Sequence, residues 1–243
     1  MRVDVGPVTV AVGAAIVAVG LGVGGYLAGR GVLLSRMEDR VVTVKGVAEL
    51  EMRADLAVLP IAFSVTAPDV KSGMARLDAA SQVVSTFLQE QGFTKEEISF
   101  RAVEMRDTLA DGGSRSEARF VLTQHAVGRT TDISKVEKAG REVGELARRG
   151  VVLTWSNGPA FYVTASKLTE VKPGLIREAT ERAKVAADEF AAVSGARVGA
   201  IRRANQGVIV VLGRDDTSEG TESTTPEKRI RAVTTVDYQL ERK

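Results

Sequence analysis

From Val5 to Gly29 the chain carries no charged residue for 25 consecutive positions, and no other feature constrains its fold as tightly. Wound as an α-helix at about 1.5 Å per residue, the run spans roughly 37 Å, enough to cross a bilayer core of about 30 Å with some tilt. Buried helices of soluble domains seldom run this far without a charge. The only charges before residue 36 are Arg2, Asp4 and Arg30. The run exceeds the usual apolar segment of a secretory signal, and a lone Arg2 makes a weak basic start. Cutting after Ala28 or Gly29 would place Tyr26 or Leu27 at the −3 position, where a signal peptidase wants a small side chain. An uncleaved membrane anchor over residues 1–35 is favoured over a cleaved leader, with a second region at 36–243.

Glycines are spaced through the anchor. Gly20 and Gly24 are four apart, as are Gly25 and Gly29, and Gly13 precedes Gly20 by seven. Small residues at this spacing let two membrane helices approach closely, although glycine is common in such helices for other reasons. Orientation is not resolved by charge: Arg30, Arg36 and Arg40 follow the helix and only Arg2 precedes it, which by the positive-inside rule would leave the following domain in the cytoplasm.

Beyond the anchor the pattern is α+β. Residues 41–52 alternate, with Val42, Val44, Val47 and Leu50 among polar neighbours, and Gly46 marks a bulge or a close approach. Residues 55–66 form a second strand, in which Pro60 predicts an edge or bulge position. A helix follows over 69–91, with Asp69 as N-cap and Gly92 as its stop, then a strand over 98–105. After a polar stretch with Gly112-Gly113 the order repeats: a strand at 119–128, a helix capped by Asp132 and ended by Gly150, and a short strand at 151–155. A third cycle begins at 160–165. Its helix starts at Leu168 or Pro173 and runs to Ser194, with Leu175, Ile176, Ala179, Ala183, Ala186 and Phe190 on one face and Gly195 beyond the end. Strands at 201–212 and 230–240 close the chain, with a polar loop between them. Repeated strand–helix–strand units of this kind predict helices packed on a largely antiparallel sheet.

These segments resemble the SIMPL-domain family, bacterial proteins of unknown function. The resemblance rests on VVTVKGVAELEMRADLAVLPIAF with its Ala54-Asp55-Leu56-Ala57 link, on KPGLIREATERAKVAADEFAAVSGARVGAIRRANQG, and on the closing RAVTTVDYQL. It covers about residues 41–242. The closest likeness is to a membrane-anchored subgroup, from which Val58 departs, since a bulky aromatic is expected there. The resemblance implies an extracytoplasmic, mostly periplasmic domain associated with envelope or oxidative stress, sometimes assembled into large ring-like homo-oligomers. It supplies no catalytic residues. It also sets the domain outside the cytoplasm, against the arginine count.

Composition limits the chemistry. There is no cysteine, which excludes disulfides, a thiol nucleophile and Cys-ligated metals, and a single histidine, His125. His125 lies mid-strand without a Ser-x-Gly elbow or second histidine, so a packing or surface role outweighs that of a general base. Asp215, Asp216 and Glu219 fail as a calcium loop, because the third position is Thr217 and the twelfth is Pro226. The pairs Glu96-Glu97 and Asp188-Glu189 read as solvated faces. Gly20-x-Gly22-x-Gly24 lies in the apolar run, not after a strand, so no nucleotide cofactor is expected. Net charge is +2 and aromatics make up 5%, so the basic pairs Arg148-Arg149 and Arg202-Arg203 predict no nucleic-acid partner. Asn205, Gln206 and Gly207 enter an apolar run, as a bulge or as a ligand site, with the bulge favoured. No catalytic, metal or cofactor site is expected.

The expectation is therefore a non-enzymatic, single-pass protein of the inner membrane with its C-terminal domain in the periplasm. It self-associates and has a structural or stress-protective role. The alternatives are an adaptor or ligand-binding module with a helix–sheet groove, and an unrecognised hydrolase.

Overall fold

The computed structural model describes residues 16–30, 40–110, 119–154, 158–214 and 222–242. Gly13, much of the uncharged run, and the Asp215 to Gly220 stretch lie outside the described residues. Residues 16–30 form helix α1, and every one of them is exposed. Among the described residues no helix is long and apolar enough to cross a membrane.

The elements that follow are β1 (Val41–Arg53), β2 (Leu56–Ala67), α2 (Val70–Glu90), β3 (Ile98–Phe100), β4 (Glu104–Asp107), β5 (Phe120–Thr130), α3 (Ile133–Glu142), α4 (Gly144–Arg148), β6 (Val152–Leu153), β7 (Ala160–Tyr162), α5 (Ala165–Val193), β8 (Ala196–Gln206), β9 (Val210–Gly213) and β10 (Glu227–Arg242). The architecture is α+β with antiparallel pairing. The strands divide between two sheets, ordered β1-β10-β8 with β9 on β10, and β3-β5-β2-β6 with β4 on β5 and β7 on β2.

The chain separates into two compact units. The first holds residues 1–47, 178–207 and 233–243, and the second 48–177 and 208–232. In the second, β2 and β5 pair in unbroken register from Ala57↔Thr130 to Ala67↔Phe120. Their core is built from large side chains, among them Phe63, Phe87, Leu59, Ile61 and Leu122. Contrary to expectation, Pro60 does not mark an edge: β2 is central. Its other side pairs β7 through Val58 and β6 from Phe63 onward, and Pro60 falls between these short partners, where a missing N–H costs no ladder bond. The expected strand over 98–105 is two short strands, both on β5.

Helix starts follow their caps. Asp69 accepts from the Ser72 N–H at 3.0 Å, and Asp132 from the Lys135 N–H at 3.2 Å. Helix α5 begins at Ala165, ahead of both expected starts, so Pro173 lies inside it. The reason is Thr164, whose hydroxyl accepts from the Lys167 N–H, while its own N–H and hydroxyl donate to the Asp55 carboxylate. Asp55 of the Ala54-Asp55-Leu56-Ala57 link thus fixes where α5 starts.

The first unit is packed differently. Its core contains Val42, Ala183, Ala187, Val236 and Tyr238. A Cβ on Gly46 would lie 1.8 Å from the Ala179 carbonyl oxygen and 2.5 Å from the Ala183 nitrogen. Gly46 is therefore a close approach of strand backbone to helix backbone. The buried stripe of α5 runs Leu175, Ala179, Ala183, Ala187, Ala191. The expected face is thus correct as far as Ala183 and then drifts: Phe190 is 56% exposed. A four-residue step overshoots the 3.6-residue turn, so the stripe rotates around the helix.

Candidate functional site

Among the described residues of the first unit, a groove of about 570 Å³ lies between α5 and the sheet, lined by Thr180, Glu181, Lys184, Asp188, Val198, Gly199, Ile201 and Tyr238. Thr180, Lys184 and Asp188 are four apart along α5 and so lie on one stripe. Val198 and Ile201 face them from β8, and Tyr238 comes from the central strand β10. Tyr238 is only 4% exposed. Burial pushes its phenol above the ordinary value, and the Asp188 carboxylate adds to that, so the hydroxyl stays a proton donor at neutral pH. Glu241 reaches over Gly199, where a Cβ would meet its carboxylate at 2.7 Å. The groove therefore offers apolar side chains, a phenol donor and the Glu181 and Asp188 carboxylates beside the Lys184 ammonium, with the Glu241 carboxylate at Gly199. That set can hold a small polar molecule, but it contains no nucleophile paired with a base.

The residues singled out from the sequence lie elsewhere. His125 sits mid-strand in β5 opposite Ala62, and its carbonyl accepts from the Arg101 N–H at 2.9 Å. Asn205 and Gln206 are exposed on β8, paired with Thr235 and Thr234. Between that ladder and the one beginning at Val210↔Arg231, three residues (Gly207, Val208, Ile209) stand against two on β10 (Ala232, Val233). The β8–β9 side thus carries one residue more than β10 over this interval. Its first N–H, from Gly207, donates to the Val233 carbonyl at 2.8 Å, and a Cβ there would lie 2.9 Å from that same oxygen. The groove opens near Val198 and Ile201, not beside Gln206. Among the described residues outside the helix's own turns, no atom lies within 4 Å of where a Cβ on Gly20, Gly24, Gly25 or Gly29 would stand.

Glu97 is not the solvated carboxylate expected. It accepts from the Thr94 N–H at 2.9 Å and pairs with Lys135 at 3.1 Å. Burial alone would raise its carboxyl, but hydrogen bonds from Thr130, Thr94 and Lys135 hold it below the ordinary value. Among the described residues no three His, Asp or Glu side chains gather as metal ligands.

Sequence reasoning missed two groups. From the sequence Asp188 is only a surface charge, because its part beside Tyr238 depends on a strand far away in the chain. Lys228 is buried at 1% exposure, with its amine donating to the Glu222 carbonyl, and desolvation lowers its pKa. A signal for Lys228 existed: it shares the inward face of β10 with Ile230, Ala232, Thr234, Val236 and Tyr238. A second hollow, of about 400 Å³ in the second unit, carries Arg76 and Arg149. Arg76 is bound to the Thr66 carbonyl and Arg149 to Glu90.

No curated protein matches the chain. The family model for SIMPL, described as a protein of unknown function (DUF541), matches residues 42–238. That match takes in β1 through most of β10 and covers well over half of the chain, so the protein belongs to the SIMPL family.

Proposed function

We propose that this protein is a membrane-anchored member of its family: a non-enzymatic, self-associating component of the cell envelope with a structural or stress-protective role. The observation that carries the reading is α1. Ile16, Val17, Val19, Leu21, Val23 and Leu27 are each more than half exposed, and among the described residues nothing lies within 4 Å of a Cβ placed on its glycines. A helix this apolar, exposed at every described residue, is suited to lipid or to a second copy of itself. Gly20/Gly24 and Gly25/Gly29 supply the small-residue faces for such pairing. In the first unit β1 and β8 flank β10 as edge strands, and β8 is largely exposed, so strand pairing between protomers is a second route to assembly. The domain is assigned to the periplasmic side of the inner membrane, with neither nucleic acid nor cofactor as partner.

Two measurements test this. Protease added to intact cells and to spheroplasts should cut the domain only in spheroplasts; protection in both would place it in the cytoplasm. Detergent-extracted protein at micromolar concentration should scatter light as an oligomer, and a monomer would end the self-association reading. The groove between α5 and β8 favours a second reading, that of an adaptor or small-ligand module. It predicts that Asp188→Asn changes ligand capture from envelope extracts without changing oligomer size.

A further inference from the structure

We infer that one end of the first unit, where α5 turns into β8, is a lipid-contacting surface: Val193 and Phe190 enter the headgroup boundary, and Arg40, Arg197 and Arg242 face anionic headgroups. This rests on the anchor reading of α1 and adds a second contact with the same bilayer.

The strand registers put these residues at one end of the sheet. Leu240 N–H donates to the Arg40 carbonyl at 2.8 Å, and Arg242 and Glu241 pair with Ala196 and Arg197. Only Ser194 and Gly195 separate α5 from β8, with Gly195 at φ 68 making the turn. Val193, the last helical residue, is 93% exposed, and Phe190, one turn earlier, is 56% exposed. Neither belongs to the buried stripe of α5, and both are large apolar groups that water solvates poorly. Arg197, Arg242 and Arg40, all exposed, lie at this same end of the sheet. Two carboxylates are also near: Glu189 adjoins Phe190 in the chain, and Glu241 lies over Gly199.

What identifies the occupant is the tether. Nine residues separate Arg30, the last described residue of α1, from Arg40, so the chain length alone holds Arg40 within roughly 35 Å of Arg30. The basic, apolar-tipped end is the end that carries Arg40. Exposed apolar side chains that share one end of a domain with arginines suit an interfacial contact, because arginine stems lie along the boundary while the guanidinium groups meet phosphate. Each basic residue near an anionic surface favours contact by about fivefold.

The chain has no cysteine, so single-cysteine variants take one environment-sensitive fluorophore at a chosen site. Full-length protein carrying Val193→Cys, Leu21→Cys or Ile201→Cys would be reconstituted into vesicles of phosphatidylcholine with phosphatidylglycerol and exposed to nitroxide-bearing lipid. The expected result is lipid quenching at positions 21 and 193 but not at 201, with quenching at 193 reduced severalfold by Arg197→Glu with Arg242→Glu. Quenching at 21 without quenching at 193 overturns this inference and leaves the anchor standing. Quenching at neither removes both. A label at 193 that reports an apolar environment yet escapes lipid quenching is covered by another copy of the chain, which also overturns the inference.

Discussion

The two units solve the same packing problem with opposite materials. In the second, the core between helices and sheet is filled by Phe63, Phe87, Leu77, Leu88 and Leu122, all essentially without exposure. In the first, the helix is drawn onto the strand until Gly46 touches the backbone of Ala179 and Ala183. One core therefore depends on side-chain volume and the other on its absence. The difference teaches that hydrophobic content alone does not measure how a core responds to change: the first would fail by gaining a methyl, the second by losing a ring.

Substitutions of opposite sign break the comparison most directly. Phe63→Ala should cost about 3–5 kcal/mol, from lost transfer energy and the cavity left behind, read as a fall in urea midpoint. Gly46→Ala adds one carbon where there is no room and should cost about 1–3 kcal/mol. It should be read as faster hydrogen exchange of the amides at 179–187 with little change in α2. If Gly46→Ala is neutral, the backbone contact is not what holds the first unit together.

The smallest effects separate the units by pH. The Glu97 carboxyl is held below its ordinary value, so its stabilisation is present above the unfolded pKa of about 4.5 and is lost as pH falls through the folded value. The Tyr238 phenol is raised, so its contribution is present below the unfolded value of about 10.0 and disappears as pH rises through the folded one. Glu97→Gln should flatten the acid limb of stability against pH, and Tyr238→Phe the alkaline limb. Local exchange should place the first loss in the second unit and the other in the first. Both variants altering the same limb would defeat the assignment.

Much of the local structure was legible because its causes are local. Asp69 and Asp132 announce helices through bonds made three residues away. The alternation of β1, β2 and β5 marks a strand whatever it pairs with. Partition into two sheets was not legible, since a period of two says which face is buried and not which strand lies alongside. The early start of α5 was hidden because its cap is braced by Asp55, 109 residues before Thr164. The groove was hidden for the same reason: Asp188, Ile201 and Tyr238 come from three elements.

The order of strands β1-β10-β8 also has a consequence for the route to the folded state. β10 lies between two strands that precede it in the chain, and the hydrogen bond from Thr43 to Asp237 closes a separation of 194 residues. Neither flanking strand can find its neighbour in the sheet until the last one arrives. Contacts of such long range are entropically late and make folding slow. The first unit should therefore acquire its protection after the second, and the interval between them is when β1 and β8 stand open to mispairing.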